Sequence, residues 1–596
     1  MKQRLLALAV ASAVTALVAG CASPSNSANS ANSANSANSA NSANSANSVA
    51  LADSIYLGGP ILTMNDAQPN AEAVAVRAGR ITAVGSRAEL LKMQGAHTRV
   101  VDLQGKTLLP GFVDPHSHIS IVGLQAISAN MLPPPDGNNA SIAQLQETLR
   151  EYLKTSPEPK ELGVVFGFGY DDSQLKEQRH PTREDLDAVS TTLPVMIIHQ
   201  SGHLAVLNSL ALKQAGITAS SVDPQGGVIG RKAGSQEPNG LLEEGAFFSI
   251  VPRIMPKLSE AQTSNWLTKA QDLYLQYGYT TVQDGRADPT NVTQAIAASK
   301  AGVFKIDVVA YPDMVDIADN ALMDGPYFSR NYTQHYRIGG VKLNLDGSPQ
   351  GKTAWLSHPY HHAPAGKSAD YAGYNVMPDS EVNDLMTKAF QKGWQVLAHT
   401  NGDAAIDQFM GAVRVANQRV PGSDRRPVMI HGQTLRKDQV PQMAAAGIFP
   451  SLFPMHTFYW GDWHRDSVLG PERAEHISPT GWVLAQGMRF TSHHDAPVAL
   501  PSSIRVLAAT VNRTTRTGKV LGPEHRVDPT TALKSMTLWA AYQHFEEDRK
   551  GSIETGKLAD FVVLSDNPVT MPKDQLASLK VLHTIKEDKN VYRAAP

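Results

Sequence analysis

Apolar runs of strand length recur along this chain, and several of them end in a side chain that can bind a metal ion. In chain order these side chains are His116, His118, Lys342, His399, His431 and Asp495. Imidazole nitrogens and carboxylate oxygens that a rigid scaffold holds at strand ends are the ligands that a catalytic metal needs. The sequence therefore predicts a sheet whose strand ends converge on one metal centre.

Helical stretches separate these runs, for example "DSEVNDLMTKAFQKG" and "DAAIDQFMGAVRVANQR". Continuous apolar runs are typical of strands covered on both faces, and repeated βα units predict a parallel barrel or a doubly wound sheet. The spacing favours the barrel, because His431 follows His399 by 32 residues, about one βα unit, and Asp495 follows His431 by 64, about two. Strand ends meet at one mouth in a closed barrel and fan apart in an open sheet. We therefore expect an α/β fold, a TIM-like (β/α)8 barrel.

Segments with a different pattern flank the expected barrel. Residues 51–110 and 545–596 contain short alternating runs broken by turns, which predicts a small β-sandwich composed of both terminal segments. The barrel is expected over 111–544. His118 and Lys342 are 224 residues apart, more than the intervening units require, so we expect an insertion over roughly 120–265 near the mouth.

The first residues are typical of a targeting segment. Lys2 and Arg4 precede an apolar run that is short for a membrane span, which favours a signal peptide over 1–20. The stretch "LVAGCAS" resembles the lipobox of bacterial lipoproteins, and the resemblance implies cleavage before Cys21 and lipid attachment to its thiol. The alternative is a secreted protein in which Cys21 is incidental. Residues 21–50, mostly Asn-Ser-Ala repeats, predict a flexible linker.

These features predict a location in the bacterial cell envelope. By resemblance to lipoproteins, Ala22 after the lipidated cysteine favours the outer membrane, with the catalytic domain in the periplasm or outside. The membrane is expected as a partner only through the lipid anchor. A net charge of −2 without any basic run argues against nucleic acid, and the expected partner is a small-molecule substrate. The oligomeric state, a homo-oligomer included, stays open.

Several motifs together resemble one family. "PGFVDPHSH", "GGVKLNLDGSPQGKTA", "AHTNGDAAID", "IHGQ", "SHHDAPV" and "GSIETGKLADFVVL" resemble, in this order, the amidohydrolase superfamily. More narrowly they are similar to the amidohydrolase 3 branch, which includes N-substituted formamide deformylase and YtcJ-like enzymes. The resemblance covers about residues 53–592. It implies a metal-bearing (β/α)8 barrel with a composite β-sandwich and hydrolysis of amide-like C–N bonds.

The resemblance also implies roles for the ligand candidates. His116 and His118 match the ligands of the first strand, and His399 and His431 match those after the fifth and sixth strands. Asp495 matches the aspartate of the last strand, which binds metal and carries protons. Lys342 falls where members with two metals have a carboxylated lysine that bridges them. The alternative is a site with one metal, in which Lys342 pairs with Asp346 or with a substrate carboxylate.

The expected activity is that of a metal-dependent amidohydrolase acting on a non-peptide amide or formamide bond through a metal-activated hydroxide. Asp495 is the expected catalytic residue, taking the proton and passing it to the leaving nitrogen. The cofactor is one or two divalent ions; zinc suits the ligands, and manganese, iron or cobalt also fit. Two alternatives stay open: an ester or lactone hydrolase on the same site, and a non-catalytic binding or regulatory lipoprotein.

Two further histidines are candidates for substrate binding. The resemblance places His203, in "HQSGHLAVLN", near the substrate, and its alternative is a structural or capping role. His456 begins the aromatic stretch "HTFYWGDWH", which could line an apolar pocket or pack within a lid. His493 and His494 adjoin Asp495 and either orient it or pack beside it.

Overall fold

The computed structural model describes residues 50–595 apart from positions 225, 318, 365 and 423. The predicted signal peptide, Cys21 and the linker up to residue 49 lie outside the described residues. Among the helices of the described part, none combines the length and the apolar character that a membrane crossing requires.

Within residues 50–595 as described, twenty-three strands form four sheets. In chain order the strands are β1 (Ser54–Leu62), β2 (Asn70–Arg77), β3 (Arg80–Gly85), β4 (Arg99–Asp102), β5 (Thr107–Pro110), β6 (Phe112–Val113), β7 (Ala129–Asn130), β8 (Val165–Tyr170), β9 (Val195–His199), β10 (Leu204–Leu207), β11 (Gly227–Arg231), β12 (Pro238–Glu244), β13 (Tyr279–Ala287), β14 (Asp307–Pro312), β15 (Tyr336–Ile338), β16 (Gly340–Asn344), β17 (Gln395–Thr400), β18 (Val428–His431), β19 (Phe449–Leu452), β20 (Thr491–Ser492), β21 (Phe561–Leu564), β22 (Val581–Lys586) and β23 (Lys589–Arg593).

The α-helices alternate with these strands through most of the chain. In order they are α1 (Arg87–Leu90), α2 (Ile119–Ala126), α3 (Ile142–Thr155), α4 (Glu158–Leu162), α5 (Arg183–Asp187), α6 (Ser209–Ala215), α7 (Gly245–Phe248), α8 (Val251–Ile254), α9 (Glu260–Leu275), α10 (Pro289–Lys300), α11 (Met314–Ile317), α12 (Asp379–Gln391), α13 (Asp403–Arg419), α14 (Gln439–Ala446), α15 (Met455–Trp463), α16 (Pro471–Ala474), α17 (Thr480–Ala485), α18 (Ser503–Asn512), α19 (Pro529–Ser535) and α20 (Leu538–Gln543).

The two terminal segments share one mixed sheet. Its strands run in the order β23-β22-β21-β5-β1-β2-β3, and β4 pairs with β1. The antiparallel pairing of β21 with β5 joins the C-terminal segment to the N-terminal one. The structure therefore places both segments in a single continuous sheet, while the two-layered sandwich stays a prediction.

The chain between β6 and β13 forms a separate sheet in the order β11-β12-β10-β9-β8-β7. Its helices α3 to α8 pack on it and give this segment its own apolar clusters, centred on residues such as Phe166, Ile198 and Leu242 on one side and Leu149, Val165 and Val206 on the other. A segment with its own core is rigid enough to present side chains to the rest of the protein.

The parallel strands of the body confirm a TIM-like α/β arrangement but not a closed barrel. Among the described residues they form two sheets, β15-β14-β13-β6 and β16-β17-β18-β19-β20. One hydrogen bond, from His118 N–H to the Ala496 carbonyl (2.9 Å), links the chain just past β6 to the chain just past β20. At the second junction between the two sheets, a single parallel bridge joins Asp313, just past β14, to Lys342 on β16.

Alternation along the parallel strands separates an outer core from an inner one. Val341 and Leu343 face the main core together with helices α12 and α13, whereas Lys342 between them points to the opposite side. There a smaller cluster joins β14, β17, β18 and β19 through side chains such as Val309, Leu397 and Ile430. The candidate ligands lie beyond this inner cluster, at the carboxyl ends of the strands.

Candidate metal centre

His116 and His118 follow β6 instead of lying on it. The strand ends at Val113, His116 lies in a bend, and His118 precedes the first residue of α2. The two rings converge because the turn and the N-terminus of α2 aim them, with ring centroids 5.0 Å apart.

Asp495 is the point on which these rings meet. Its Oδ1 lies 3.1 Å from Nε2 of His118 and 3.3 Å from Nε2 of His116. Its Oδ2 lies 3.8 Å from Nδ1 of His431. Donor atoms of His116, His431 and Asp495 all lie within 4.8 Å of one another, and all three residues are buried. Side chains up to 379 residues apart in the chain thus share one small space.

His431 reaches this space because its backbone departs from strand geometry. Alternation after the inward-facing Ile430 would turn His431 outward, but its φ is 78°, in the left-handed region. Asp495 likewise has a φ of 56°. Non-glycine residues held in this region cost on the order of 1 kcal/mol or more and cluster at functional sites. The strained backbone therefore lowers the free energy of unfolding, and in return it directs these two side chains at the same point.

His399, near the end of β17, packs against His431 with ring centroids 4.5 Å apart. Its Nδ1 donates to Oδ1 of Asp346 (3.0 Å), which leaves Nε2 as the lone-pair nitrogen. Burial raises the pKa of Asp346 to about 7, although backbone N–H groups of Asn401, Gly402 and Trp355 donate to its oxygens. Asp346 fixes the ring of His399 in the way that carboxylates fix metal-binding histidines.

Lys342 lies on the same side of its strand and reaches His116. Its Nζ is 2.9 Å from Nε2 of His116, and the residue is buried. Burial lowers the pKa of Lys342 to about 7, so a large share of the amine is neutral at neutral pH. In this structure Nζ of Lys342 contacts His116, whereas Asp346 contacts His399 and three backbone N–H groups, so the role of Lys342 stays a prediction.

The protonation state of the histidines suits metal binding. Burial is the main cause that lowers the pKa of His116, His399 and His431 well below the ordinary value, and nearby positive groups add to the effect. Neutral imidazoles are the form that binds metal ions. Nδ1 of His431 is buried and has no hydrogen-bond partner. The same is true of both ring nitrogens of His493. Buried polar atoms without partners are rare, and a bound ion or substrate would satisfy them.

Some supporting residues were missed by the sequence analysis. Gln283 on β13 lies with Oε1 2.5 Å from Nδ1 of His116, and the Gly285 carbonyl lies 2.6 Å from Nδ1 of His118. Asp114 accepts from the His116 N–H (3.0 Å) and from the Ser117 hydroxyl. The signal for Gln283 was a polar residue at the end of the apolar run "GYTTVQDG". These groups fix which nitrogen of each ring faces Asp495.

The separate sheet contributes His203 to the neighbourhood of the metal centre. The His203 ring lies 5.4 Å from that of His399, and its Nδ1 is 2.8 Å from Oε2 of Glu244. Glu244 also accepts from the Thr353 hydroxyl (2.8 Å) and has a φ of 47°. The structure thus brings His203 beside the predicted ligands, and substrate binding stays a prediction for it.

His456 lies one aromatic ring away from the ligands. Phe453 separates it from His493, with ring centroids 4.6 and 4.7 Å from the Phe453 ring. Nδ1 of His456 is 2.9 Å from Nε2 of His464, and the His456 ring packs against Trp460. Of the pair beside Asp495, His493 faces His116 and His431, whereas His494 faces Asp114.

The residues present fit a divalent ion. Four imidazoles, one carboxylate and an amine lie close together, all of them buried except the partly exposed His118, and they include nitrogen and oxygen donors of the kind found in zinc sites. An unpaired buried nitrogen on His431 faces that space. This donor set can hold one ion or two.

Comparisons with known proteins identify relatives of this chain. The sequence profile of the Amidohydrolase family matches residues 99–592. N-substituted formamide deformylase of Arthrobacter pascens is 28% identical over 545 residues, which cover 90% of this chain and 97% of that protein. YtcJ of Bacillus subtilis (strain 168) is 27% identical, covering 90% of this chain and 99% of its own length.

A solved structure is similar along most of its length. The crystal structure of an uncharacterized metal-dependent hydrolase from Pyrococcus horikoshii OT3 superposes with a TM-score of 0.69 and 23% sequence identity. It covers 87% of this chain and 99% of its own. This likeness establishes the shared fold. The match over residues 99–592, together with the converging histidines and Asp495, shows that the chain belongs to the amidohydrolase family, in its amidohydrolase 3 branch.

Proposed function

We propose that this protein is a zinc-dependent hydrolase that cleaves the C–N bond of a small non-peptide amide or formamide. The observation that carries the proposal is the convergence of His116, His118 and His431 on the two oxygens of Asp495. Family membership supports hydrolysis of a C–N bond, and the name of the Arthrobacter relative supports formamides as the first substrates to test.

In the two-metal arrangement, the proposed ligands would fall into two groups, with Lys342 as a further ligand. His116, His118 and Asp495 would hold one ion, and His399 and His431 would hold a second. The neutral amine of Lys342 can add CO2, and its carbamate would bridge the two ions. A divalent ion in this site polarises a carbonyl and lowers the pKa of a bound water to about 7.

Proton transfer falls to Asp495. Its carboxylate lies on the wall of the space that all the ligands share, where it can take a proton from the attacking water. The same oxygen can then deliver this proton to the leaving nitrogen, which must be protonated before the C–N bond breaks. The left-handed backbone of Asp495 holds the carboxylate in this position.

Substrate positioning falls to the side chains that approach from the separate sheet and from the aromatic segment. His203, whose Nδ1 donates to Glu244, stands next to His399, and its Nε2 can accept a hydrogen bond from a substrate N–H. Phe453 and His456 form an aromatic wall on the other side, suited to an apolar substituent on the amide nitrogen.

We also propose that the enzyme is attached to the bacterial envelope through a lipid on Cys21. The support is the basic start, the short apolar run, the lipobox-like "LVAGCAS" and the polar linker that follows.

An activity screen on the mature protein tests the catalytic proposal. The protein is loaded with Zn²⁺ and assayed against N-substituted formamides, other N-acyl compounds, and esters or lactones, with chelator-treated protein as the control. Turnover of amides that disappears with chelator supports the proposal. Turnover of only esters or lactones overturns the C–N assignment, and absence of any turnover in metal-loaded protein favours a binding role.

A further inference from the structure

A second group of potential metal ligands lies outside the centre described above. It consists of His476, after α16, and of Glu524 and His525, in a short 3-10 turn before α19. His525 is fully buried, whereas the side chains of His476 and Glu524 are 40% and 47% exposed. None of the three takes part in the proposed reaction.

Three ligand atoms of this group form a compact triangle. Nδ1 of His476 is 3.2 Å from Nε2 of His525 and 3.1 Å from Oε1 of Glu524, and Nε2 of His525 is 3.6 Å from the same oxygen. Nitrogen and oxygen ligands of a tetrahedral Zn²⁺, at bond lengths of about 2.0–2.2 Å, stand on the order of 3.3–3.5 Å apart. The three measured separations bracket that value. We propose that His476, Glu524 and His525 form a second divalent-metal site, suited to Zn²⁺, with its fourth position open to water.

The segments that carry the ligands are already held together. The buried Arg513 donates to the carbonyls of Ile477 and Ser478 on one segment and to that of Leu521 on the other. The Gly522 N–H donates to Oε2 of Glu475 (2.5 Å), and the Thr480 hydroxyl donates to the His525 carbonyl. A site whose ligands are held by such contacts loses little conformational entropy when an ion binds.

The surroundings also favour an ion reached from solvent. Trp482 packs against both imidazoles, with ring centroids 4.6 and 4.9 Å away, and so limits their rotation. In the contact between Nδ1 of His476 and Nε2 of His525 one nitrogen donates and the other accepts, and the carboxylate beside them can only accept, so the three atoms include more acceptors than donors. A cation satisfies all three atoms at once. The exposed sides of His476 and Glu524 leave a path for it.

Metal counting on the full chain tests this site. Wild-type protein is saturated with Zn²⁺, freed of excess metal by gel filtration, and analysed for zinc per chain by mass spectrometry. The same is done for His476→Ala and Glu524→Gln, with His97→Ala and Glu472→Gln as matched exposed controls. We expect His476→Ala to hold one Zn²⁺ fewer than wild type, Glu524→Gln to bind that ion more weakly, and both controls to match wild type.

A thermal measurement gives a second readout that needs no turnover. Added Zn²⁺ should raise Tm more in wild type than in His476→Ala, since an ion that binds only the folded chain stabilises it. Equal zinc content and equal Zn²⁺-dependent Tm shifts in wild type and His476→Ala would overturn the proposal. Loss of one ion in His97→Ala as well would also overturn it, because the ion would then be bound non-specifically.

Discussion

Nζ of Lys342 lies 2.9 Å from Nε2 of His116, and both residues are buried. An ammonium group here would repel divalent ions, whereas the neutral amine can become a carbamate that attracts them. The contact explains how a lysine can belong to a site otherwise made of histidines and a carboxylate. It also yields the first prediction.

Replacing Lys342 with Gln or Ala should remove the bridge. We expect these variants to hold about one metal ion fewer than wild type and to lose most of their activity. Metal analysis and ¹³C NMR of protein equilibrated with ¹³C-bicarbonate measure this, with a carbamate signal in wild type alone. Full metal content and activity in Lys342→Ala would show that Lys342 is a strand-end lysine without a role at the site.

Replacing Asp495 with Asn keeps the size of the side chain but removes its ability to take a proton. We expect kcat to fall roughly 10²–10⁴-fold, the usual contribution of a positioned acid–base group. Thermal melts should show that the fold is intact. Wild-type rates in metal-loaded Asp495→Asn would contradict the proton-transfer role.

Asp346 is a positioning residue for His399. Asp346→Asn weakens the contact that holds Nδ1 of His399, so metal affinity should fall by about 10–100-fold. Equilibrium dialysis against Zn²⁺ measures this, and the exposed Asp566→Asn serves as a control. If the two variants bind metal equally well, His399 is oriented by other contacts.

A pH effect on stability is expected at His199. Burial alone would lower the pKa of His199, but hydrogen bonds and attraction from Asp171 and Asp172 outweigh it and raise the pKa from 6.5 to about 9. A histidine whose pKa is raised by folding contributes stability that is complete below its unfolded pKa of about 6.5 and is lost as the pH rises through about 9.

Urea unfolding of wild type and His199→Gln at several pH values checks this expectation. The difference in unfolding free energy between the two proteins should be largest below about pH 6.5 and should shrink towards about pH 9. A difference that does not change over this range would show that the protonated ring contributes nothing to stability.

The proposed membrane attachment depends on one atom, the thiol of Cys21, since this is the only cysteine in the chain. Cys21→Ala should move the protein from the membrane fraction to the soluble fraction and abolish labelling by a radioactive fatty acid. Ser25→Ala is the control. Unchanged fractionation of Cys21→Ala would mean that the chain is not lipid-anchored.

The predicted ligands came from residue type and position relative to apolar runs, and the structure brings His116, His118, Lys342, His399, His431 and Asp495 into one space. Their identity as metal ligands stays a prediction. The residues that orient these histidines could not be predicted from residue type and position. Gln283, Asp346 and Glu244 are ordinary polar residues, and the role of each depends on a neighbour far away in the chain.

Local sequence alone determined which segments are strands and helices, since apolar periodicity and turn residues act over short distances. The local sequence also determined that side chains able to bind a metal ion lie near the strand ends. Tertiary structure decided how the parallel strands join, as two sheets linked at Ala496 and Asp313, because these contacts form between segments that are far apart in the chain. It also decided the direction of His431, whose left-handed backbone overrides strand alternation through contacts that no local pattern contains.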